Sequence, residues 1–472
     1  MSSPAAPGKS RPAGSGPLFG AKLALSRAIG AASRASGRGG GTTLPGRVLL
    51  RLEPEAIARL GSGLARGATV ISATNGKTTT AGMLASILAA DGRHPVHNRA
   101  GSNMTWGVAT ALLEQHGDEG LFEVDEAWLP RVAAQLDPGL IVLGNLFRDQ
   151  LDRYGELESL ADEWAALVEQ RAGRTRFVLN ADDPLIADLG RDREERPRQG
   201  VTYFGIDDPS QALPQLQHAH DAKHCRRCGH PYAYERAFVG HLGHYSCPNC
   251  GARRPRPDVA ATAVELRGMS GSRVTVRTAA GDLQLELPLP GLYNVYNALA
   301  ALTAGIELGV EPARAVAALA DVKAAFGRVE TIEVAGVPVS ILLIKNPAGA
   351  NEVLRTLRLE QTEGGADLWI ALNDRIADGR DISWIWDADF ELLAGGVRRV
   401  VCAGTRAPEL ALRLKYAGWP PDAIVVEPEI AASLDRAVAE APGRLFALPT
   451  YTALLELRTL LADRGLAREY WQ

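Results

Sequence analysis

Apolar and polar positions along this 472-residue chain follow two different periods, and the changes of period predict strands and helices. From residue 46 onward, short apolar runs are followed by segments in which apolar side chains recur every three or four positions. The clearest unit reads GATVISATNGKTTTAGMLASILAADG, which predicts a buried strand at residues 68–72, a loop containing Gly76 and then a helix. This alternation indicates an α/β protein.

Residues 325–472 continue the alternation. Five apolar runs are predicted as strands: VPVSILLI, ADLWIALN, VRRVVCAG, AIVVEP and RLFALP. A chain of this length holds two or three domains of roughly 100 to 200 residues each. We therefore assign residues 46–318 to a central domain and residues 325–472 to a C-terminal domain with a Rossmann-like α/β sheet.

Residues 1–45 form a basic segment without acidic side chains. Eight basic residues precede the first acidic residue, Glu53: Lys9, Arg11, Lys22, Arg27, Arg34, Arg38, Arg47 and Arg51. The segment is predicted to be flexible, and residues 1–15, rich in Pro, Gly, Ser and Ala, are predicted to be disordered. Residues 18–34 are compatible with a basic amphipathic helix, either solvated or in transient contact with an anionic membrane surface.

Composition excludes some classes of protein. Hydrophobic residues make up 46% of the chain, which is ordinary for a globular protein, and the formal net charge of −4 gives no general reason to expect nucleic acid. No apolar run approaches the roughly 20 residues that a transmembrane helix needs, and no apolar signal segment is recognised. These features predict a cytoplasmic protein.

The loop after the first predicted strand is typical of phosphate binding. In TNGKTTT, backbone amides would face an anion, Lys77 would reach the terminal phosphates of a nucleotide, and Thr78 would offer a hydroxyl to Mg²⁺. Ile71 replaces the first glycine of the usual G-x4-G-K-[ST] pattern. Lys77 is expected to face the surface when no nucleotide is bound. The predicted contacts to the nucleotide are Thr74, Asn75, Gly76, Lys77, Thr78 and Thr79.

Four of the five cysteines form two C-x2-C pairs: Cys225, Cys228, Cys247 and Cys250. This spacing lets two knuckle turns present four thiolates to one Zn²⁺ ion. Gly229 and Gly251 follow the second cysteine of each pair, where a knuckle needs φ > 0. Four thiolates leave no open coordination position, so the predicted zinc, in an insertion at residues 223–254, is structural. The alternative is a pair of disulfides, which a reducing cytosol disfavours.

Five motifs resemble those of the Mur ligases and the folylpolyglutamate synthases, in the same order. They are ATNGKTTT, LFEVDEA, GNLFRDQLDRYGELE, GLYNVYNALAA and AAFGRVE. The resemblance implies a Mur ligase-type P-loop central domain that binds ATP and Mg²⁺. It assigns Glu126 to Mg²⁺, Asn294 and Asn297 to the adenine, and Arg328 to an interdomain contact with the nucleotide. Ser102, in NRAGSNMTWG, lies on a loop that either closes on the phosphates and Mg²⁺ or forms an ordinary turn.

Departures from those motifs indicate which family of Mur ligase-like proteins the chain resembles. Gln150 stands where most Mur ligases have a histidine, and Lys345 stands at the histidine of their Asp-Tyr-Ala-His-Asn-Pro segment. The usual domain for a uridine nucleotide is not recognised before the ATP loop. The cysteine insertion, IKNPAGANE and LNDRIADGRDISWIWDADFE together resemble the MurT family, the ligase-like subunits of lipid II isoglutaminyl synthases.

That resemblance implies an ATP-dependent carbon–nitrogen ligase of peptidoglycan biosynthesis. ATP would phosphorylate the α-carboxylate of D-glutamate in the lipid II stem peptide, and ammonia would displace phosphate to leave D-isoglutamine. Lys77 would neutralise charge on the β- and γ-phosphates. The expected place of action is the inner face of the cytoplasmic membrane.

The ammonia is expected to come from a separate GatD-type glutaminase subunit. Cys402, the one cysteine outside the insertion, lies in an apolar run without a nucleophile elbow, and no histidine follows His244. The resemblance implies that an aspartate of the acidic loop after ADLWIALN completes the partner's Cys-His pair. The candidates are Asp378 and Asp381, with Asp374 behind them.

Two other functions remain open from the sequence. One is a folylpolyglutamate-type amino-acid ligase that acts alone. The other is a non-enzymatic zinc-ribbon ATPase that binds nucleic acid through a basic patch of Arg226, Arg227, Arg253, Arg254 and Arg256. The lack of an RNA-binding aromatic signature disfavours the second.

Overall fold

A computed structural model of the chain describes residues 16–35, 43–98, 102–149, 157–192, 194, 196–218, 220–322, 330–360 and 364–467. Two large β-sheets organise these residues. Apolar clusters lie on both faces of each sheet: Val70 and Ile71 are neighbours on one strand and belong to different clusters. This arrangement is the one that alternating strands and helices predict.

The strands, in chain order, are β1 (Ala68–Ser72), β2 (Val96–His97), β3 (Gly120–Glu123), β4 (Leu140–Leu143), β5 (Arg176–Asn180), β6 (Val201–Ile206), β7 (Ala233–Val239), β8 (Leu242–Ser246), β9 (Val259–Leu266), β10 (Ser272–Thr278), β11 (Gly281–Leu287), β12 (Glu330–Val334), β13 (Val337–Ile341), β14 (Ala366–Ala371), β15 (Val397–Ala403), β16 (Ile424–Val426) and β17 (Leu445–Pro449). The predicted strand at residues 68–72 is confirmed as β1.

The helices are α1 (Pro17–Ala35), α2 (Leu44–Leu52), α3 (Ala56–Gly61), α4 (Lys77–Ala90), α5 (Thr105–Glu114), α6 (Leu129–Leu136), α7 (Leu157–Arg171), α8 (Pro184–Ala187), α9 (Leu292–Glu307), α10 (Pro312–Ala320), α11 (Pro347–Leu359), α12 (Ala407–Tyr416), α13 (Ile430–Glu440) and α14 (Tyr451–Asp463). In the part of the chain that the structure describes, none of them has the length and apolar character needed to cross a bilayer.

The larger sheet has nine strands in the order β11-β10-β9-β6-β5-β4-β1-β3-β2. Its pairs from β2 to β9 are parallel, and β9, β10 and β11 pair antiparallel. After β1 the chain forms β2 and β3 on one side of β1 and then β4, β5 and β6 on the other side, so the strand order reverses at β1. In open α/β sheets such a switch point leaves a crevice at the carboxyl ends of the strands, where ligands bind.

The second sheet has the order β12-β13-β17-β14-β15-β16 and is parallel except for the β12–β13 hairpin. The five strands predicted for the C-terminal region are confirmed as β13 to β17. β12 was not predicted. Its outer positions are charged or polar and only alternate residues are buried, so no apolar run marks it.

The cysteine insertion lies between β6 and β9, two neighbouring parallel strands of the larger sheet. Its β7–β8 hairpin is a separate two-stranded sheet. The hairpin is not isolated, because Phe238, Val239 and Leu242 join the apolar cluster of the central sheet. The tip of the insertion is therefore part of the core beneath it.

Residues 17–35 form α1, in agreement with the helix expected over residues 18–34, and α1 packs on the body of the protein although residues 1–45 were predicted to be flexible. Phe19 is 7% exposed, and the Arg59 guanidinium lies 3.8 Å from the centre of its ring. Arg27 donates two hydrogen bonds to Leu113 O, at 2.9 and 2.8 Å, and Lys22 pairs with Glu53 at 3.0 Å. The basic side chains thus find partners on the protein itself. Residues 1–15 lie outside the described residues.

Replacement of Phe19 by Ala should loosen the docking of α1. Loss of the buried ring costs about 2 kcal/mol, so the fraction of undocked helix should rise about 30-fold. Limited trypsin digestion at Lys22 and Arg27 measures this opening. Leu18→Ala is the matched control, because Leu18 is 72% exposed. Equal cleavage rates for the two variants would contradict the docking of α1.

Candidate nucleotide site and metal centre

The loop of residues 73–76, between β1 and α4, lies at the switch point of the larger sheet. Asn145, which follows β4, fastens it: Asn145 Nδ2 donates to Asn75 O at 3.0 Å, and Asn145 Oδ1 accepts from Asn75 N at 2.9 Å. Thr74 N donates to Asn145 O at 2.9 Å. Because β1 and β4 are neighbours, the loop has a fixed shape at the ends of two strands.

Lys77 and Glu126 form a buried ion pair at the start of α4. The Lys77 ammonium donates to Glu126 Oε2 at 2.7 Å and to Ala73 O at 2.5 Å. Burial alone would lower the pKa of Lys77, but the carboxylates of Glu126 and Asp125 outweigh it and raise this pKa. Burial alone would raise the pKa of Glu126, but the charges of Lys77 and Lys345 lower it. Both members of the pair are therefore charged.

The expectation that Lys77 faces the surface is wrong. Lys77 and Glu126 are only 8% and 5% exposed. Lys77 is buried because of this ion pair, since an ammonium ion is stable out of water when a carboxylate and backbone carbonyls surround it. Nucleotide phosphates carry the same sign of charge as Glu126, so Lys77 is placed to exchange one anionic partner for another.

Asn294 and Asn297 lie one turn apart on the same face of α9, as the sequence predicted. Asn297 Nδ2 donates to Asn294 Oδ1 at 3.1 Å, and Asn294 Nδ2 donates to Pro290 O at 2.8 Å. Gly76 has φ 93°, and a Cβ there would lie 1.9 Å from Asn297 Oδ1. Gly76 is thus required for the close approach of α9 to the loop. Asn294 holds Asn297, which faces the cavity, in place.

The C-terminal domain contacts this loop directly. Lys345 Nζ donates to Asp149 Oδ2 at 2.5 Å and to Thr74 O at 3.2 Å. The side-chain amides of Asn346 and Asn75 exchange hydrogen bonds of 3.0 and 3.3 Å. Asn346 also caps α11, because its Oδ1 accepts from Gly349 N at 2.9 Å. The start of α11 is therefore fixed against the phosphate-binding loop.

A cavity of about 90 Å³ lies between the two domains beside this loop. Apolar side chains and a few amides line it, a composition that suits the ring of a nucleoside base. Three parts of the chain supply the walls: Asn75, Asn145, Tyr296 and Asn297 of the central domain, Val239 and Leu242 of the insertion, and Lys345, Glu352 and Val353 of the C-terminal domain. Burial raises the pKa of the Glu352 carboxyl.

The other predicted nucleotide contacts divide into two groups. Thr78 and Thr79 lie in the first turn of α4, beside Lys77. Ser102 lies near the strand end that carries Glu126, because Ser102 O accepts from Asn98 Nδ2 at 2.9 Å and Asn98 Nδ2 also donates to Glu123 O. The predicted residues Gln150 and Arg328 lie outside the described residues.

The four cysteines of the insertion converge on one point, as predicted. Their Sγ atoms all lie within 4.8 Å of one another. Cys225 and Cys250 Sγ are 3.6 Å apart, and Cys228 and Cys247 Sγ are 3.4 Å apart. Tetrahedral coordination at about 2.3 Å separates sulfurs by about 3.8 Å, so the arrangement fits one metal ion. Gly229 and Gly251 have φ values of 72° and 77°, which the knuckle turns require.

The arginines around the cysteines are largely neutralised by carboxylates of the central domain. Arg226 pairs with Asp162, and Arg227 pairs with Asp188. Arg254 pairs with Asp182 at 2.5 Å and with Asp207 at 2.9 Å. These charges dock the insertion on its own domain. These three side chains are therefore not available to nucleic acid, whereas Arg253 and Arg256 of the same patch are exposed.

The acidic loop after β14 holds its aspartates in different environments. Asp374 accepts from Thr405 Oγ1 and Arg406 Nε, both at 2.8 Å. Asp378 is buried and accepts from Thr452 N at 2.8 Å and Thr452 Oγ1 at 2.5 Å. Burial raises the pKa of Asp378 against these bonds.

Asp381, in the same loop, is exposed. Its carboxylate accepts from Ser383 N at 2.8 Å, within its own turn, and this bond lowers its pKa. Asp374 and Asp378 are therefore engaged in holding the loop, whereas Asp381 presents its carboxylate at the surface.

Cys402 lies inside β15 and is fully buried, as the sequence predicted. Burial raises the pKa of its thiol to about 12. A nucleophilic cysteine must instead be a thiolate near neutral pH. Cys402 is a packing residue of the second sheet.

Comparison with known proteins agrees with this geometry. Residues 71–253 match the family model of the Mur ligase middle domain, and residues 343–454 match that of the MurT ligase C-terminal domain. The lipid II isoglutaminyl synthase (glutamine-hydrolyzing) subunit MurT of Staphylococcus aureus is 32% identical over 90% of this chain and 93% of that protein. The MurT subunit of Streptococcus pneumoniae is 32% identical over 91% and 94%, respectively. The chain belongs to the MurT family.

Solved structures show the same fold at lower sequence identity. A pseudomurein peptide ligase type C from Methanothermus fervidus is 22% identical, with a TM-score of 0.66 over 86% of this chain and 80% of that chain. MurF from Acinetobacter baumannii is 19% identical, with a TM-score of 0.63 over 88% and 80%. The fold of this MurT family member is thus that of the Mur ligases.

Several residues of the site were not singled out from the sequence. Asn145 lies inside the GNLFRDQ motif, and its position directly after an apolar run was a usable signal. Asn346 and Glu352 lie inside IKNPAGANE, but both contact the central domain. The partner of Asn346 lies some 270 residues away in sequence, and the partners of Glu352 lie some 60 residues away. Val239 and Leu242 could not be recognised from the sequence as residues of the site, because apolar residues at a hairpin tip are typical of ordinary packing.

Substitution of Cys225 by Ser should remove the bound metal. One of four thiolates is lost, so metal content should fall from about one ion per chain to near zero, and the midpoint of thermal unfolding should fall with it. Elemental analysis of the purified protein and calorimetry measure both. Cys402→Ala, at the cysteine outside the cluster, should keep its metal. Full metal content in the Cys225 variant would overturn the four-thiolate site.

Proposed function

We propose that the protein is the synthetase subunit of an enzyme that amidates the α-carboxylate of D-glutamate in the lipid II stem peptide to D-isoglutamine. The observation that carries the proposal is 32% identity with MurT subunits over 90% of the chain, combined with a buried Lys77–Glu126 pair at the switch point of the sheet. A likeness to folylpolyglutamate synthase from Mycobacterium tuberculosis, at 17% identity, extends to the fold alone.

The proposed reaction has two steps. A carboxylate oxygen of the substrate attacks the γ-phosphorus of ATP, and ADP leaves, which gives an acyl phosphate. Ammonia then attacks the acyl carbon, loses a proton and expels phosphate. Charge develops on phosphoryl oxygens in the first step, and the Lys77 ammonium is fixed where it can stabilise that charge.

Mg²⁺, when bound, would bridge and neutralise nucleotide phosphates. Thr78, Ser102 and Glu126 are the proposed ligands on this chain, since a hydroxyl and a carboxylate are oxygen donors of the kind that Mg²⁺ prefers. Thr74, Asn75, Gly76 and Thr79 would cradle the phosphates at the start of α4, and Asn297 would contact the base. We propose Arg328 as a further contact from the interdomain segment.

We propose that the four cysteines bind Zn²⁺ in a structural role. Sulfur ligands at tetrahedral spacing are typical of structural zinc, and a site closed by four thiolates has no position for substrate. The chemistry therefore belongs to the nucleotide site and not to this metal.

A glutaminase partner of the GatD type is proposed to dock beside Asp381. Exposed apolar side chains occur in the segment between β14 and β15, which also holds Asp381: Ile376 is 72% exposed and Trp386 is 47% exposed. The ring centre of Trp386 lies 5.9 Å from that of Tyr416, which is 72% exposed. Exposed apolar patches of this kind mark protein interfaces. Asp381 would orient the histidine of the partner's catalytic pair.

The substrate places the proposed reaction at the inner face of the cytoplasmic membrane. Lipid II is a lipid-linked precursor, so contact with the membrane surface would be transient and would come from the exposed basic side chains of α2. Arg47 and Arg51 are exposed on α2. An anionic surface attracts such side chains.

Lys77→Ala should lower ATP-dependent amidation by at least about 100-fold, because the charge stabilises the transition state. It should also reduce stability by about 3 kcal/mol, since Glu126 is left buried without its partner. Amidation of lipid II with excess ammonium, followed by mass spectrometry, gives the first value, and denaturant unfolding gives the second. Lys223→Ala, at an exposed lysine, should change neither. Undiminished amidation in the Lys77 variant would defeat the assignment of the loop.

Asp381→Asn should abolish glutamine-dependent amidation in the presence of the glutaminase while ammonium-driven amidation survives. Asp378→Asn should instead weaken the bonds to Thr452 and lower the unfolding temperature, with both nitrogen sources affected together. The ratio of glutamine-driven to ammonium-driven rates separates the two outcomes. A normal ratio for Asp381→Asn would remove this residue from the partner's active site.

A further inference from the structure

The tip of the cysteine insertion reaches the nucleotide site. Val239 and Leu242, the last residue of β7 and the first of β8, line the interdomain cavity opposite Asn297 and Tyr296 of α9. Both side chains are buried. The cysteines lie at the other end of the same hairpin, since Ser246 ends β8 and Cys247 follows it.

Arg355 of the C-terminal domain holds the insertion at this point. Its Nη1 donates to Phe238 O at 2.9 Å, and its Nη2 donates to Gln211 O at 3.0 Å. Phe238 is adjacent to Val239, and Arg355 lies on α11 one turn after Glu352, so the guanidinium joins two walls of the cavity. These bonds connect the insertion to the C-terminal domain across the cavity.

A second connection runs to the central domain through Asp182. Tyr296 Oη donates to Asp182 Oδ2 at 2.7 Å, and Arg254 Nε donates to Asp182 Oδ1 at 2.5 Å. Gly243 N donates to Asp182 O at 2.9 Å. Arg254 follows Cys250 by four residues, and Gly243 lies just past the hairpin tip. The hairpin tip and the chain just after the cysteines therefore both bind Asp182, which positions Tyr296 in the cavity wall.

We propose that the cysteine insertion is the third wall of the nucleotide site, and that Arg355 is a positioning residue that sets nucleotide affinity by holding this wall to the C-terminal domain. The inference rests on the proposed function, because it takes the cavity to be the base pocket of ATP. It gives the insertion a role in the reaction beyond its own folding. The ligand class is an adenine nucleotide, enclosed by apolar hairpin side chains.

The experiment is calorimetric titration of the full-length protein with ADP. Arg355→Gln removes both bonds to backbone carbonyls and the 3.7 Å ion pair with Glu352, another residue of the cavity wall, and should raise the Kd for ADP about tenfold. Arg355→Lys, which retains one donor group, should recover part of the loss. Arg358→Gln on the same helix is the matched control, because Arg358 is exposed and lies outside the cavity lining.

Two further measurements separate positioning from a general loss of structure. Metal content of Arg355→Gln should match that of the unchanged protein, whereas its unfolding temperature should fall slightly, because two backbone carbonyls and the Glu352 carboxylate lose a partner. In amidation with ammonium, the KM for ATP should rise while kcat at saturating ATP is retained, as expected when only nucleotide binding is affected. A fall in metal content that accompanies the affinity loss would overturn the proposal.

Val239→Trp tests the wall itself. The larger side chain at the hairpin tip should fill the cavity and abolish ADP binding while the metal stays bound. Unchanged ADP affinity in both Arg355→Gln and Val239→Trp, or an equal loss in Arg358→Gln, would overturn the inference. Failure of the unchanged protein to bind ADP would instead refute the proposed function, so the two failures are distinguishable.

Discussion

The buried pair of Lys77 and Glu126 is the interaction on which the rest of the site depends. Two charges out of water are stable only with close partners, and these side chains come from the ends of neighbouring strands, β1 and β3. Thr74 and Asn75 must therefore direct their carbonyls and amides to groups on other elements. Asn145 fastens the loop from β4, and Lys345 reaches it from the C-terminal domain. A strand order that reverses at β1 brings all of these groups together.

The same constraint ties the two domains into one working unit. Lys345 bridges Asp149 and Thr74, and the Asn75–Asn346 amide pair fixes the start of α11 at the loop. Uncharged amides and one lysine thus make the contact between the C-terminal domain and the loop of residues 73–76.

Local motifs predicted the strand–loop–helix unit, the metal cluster and the C-terminal strands, because each depends on residues close together in sequence. What could not be predicted depends on distant partners. Asp378 and Asp381 are equivalent in the DGRD motif, and only the position of Thr452, in the first turn of α14, shows that the Asp378 carboxylate is already hydrogen-bonded. The docking of α1 likewise depends on Leu113 and Glu53, which no periodicity relates to Arg27 and Lys22.

The positions of the apolar side chains of the insertion explain why it carries a cluster of four cysteines. Phe238, Val239 and Leu242 are buried in the core of the central domain and at the base cavity, so they are not available to form a core for the knuckles. A segment this small cannot fold on hydrophobic burial alone when its large side chains are committed elsewhere. Four thiolates around one ion would supply the missing stability at the distal end. Such a metal would leave the hairpin tip available to line the interdomain cavity.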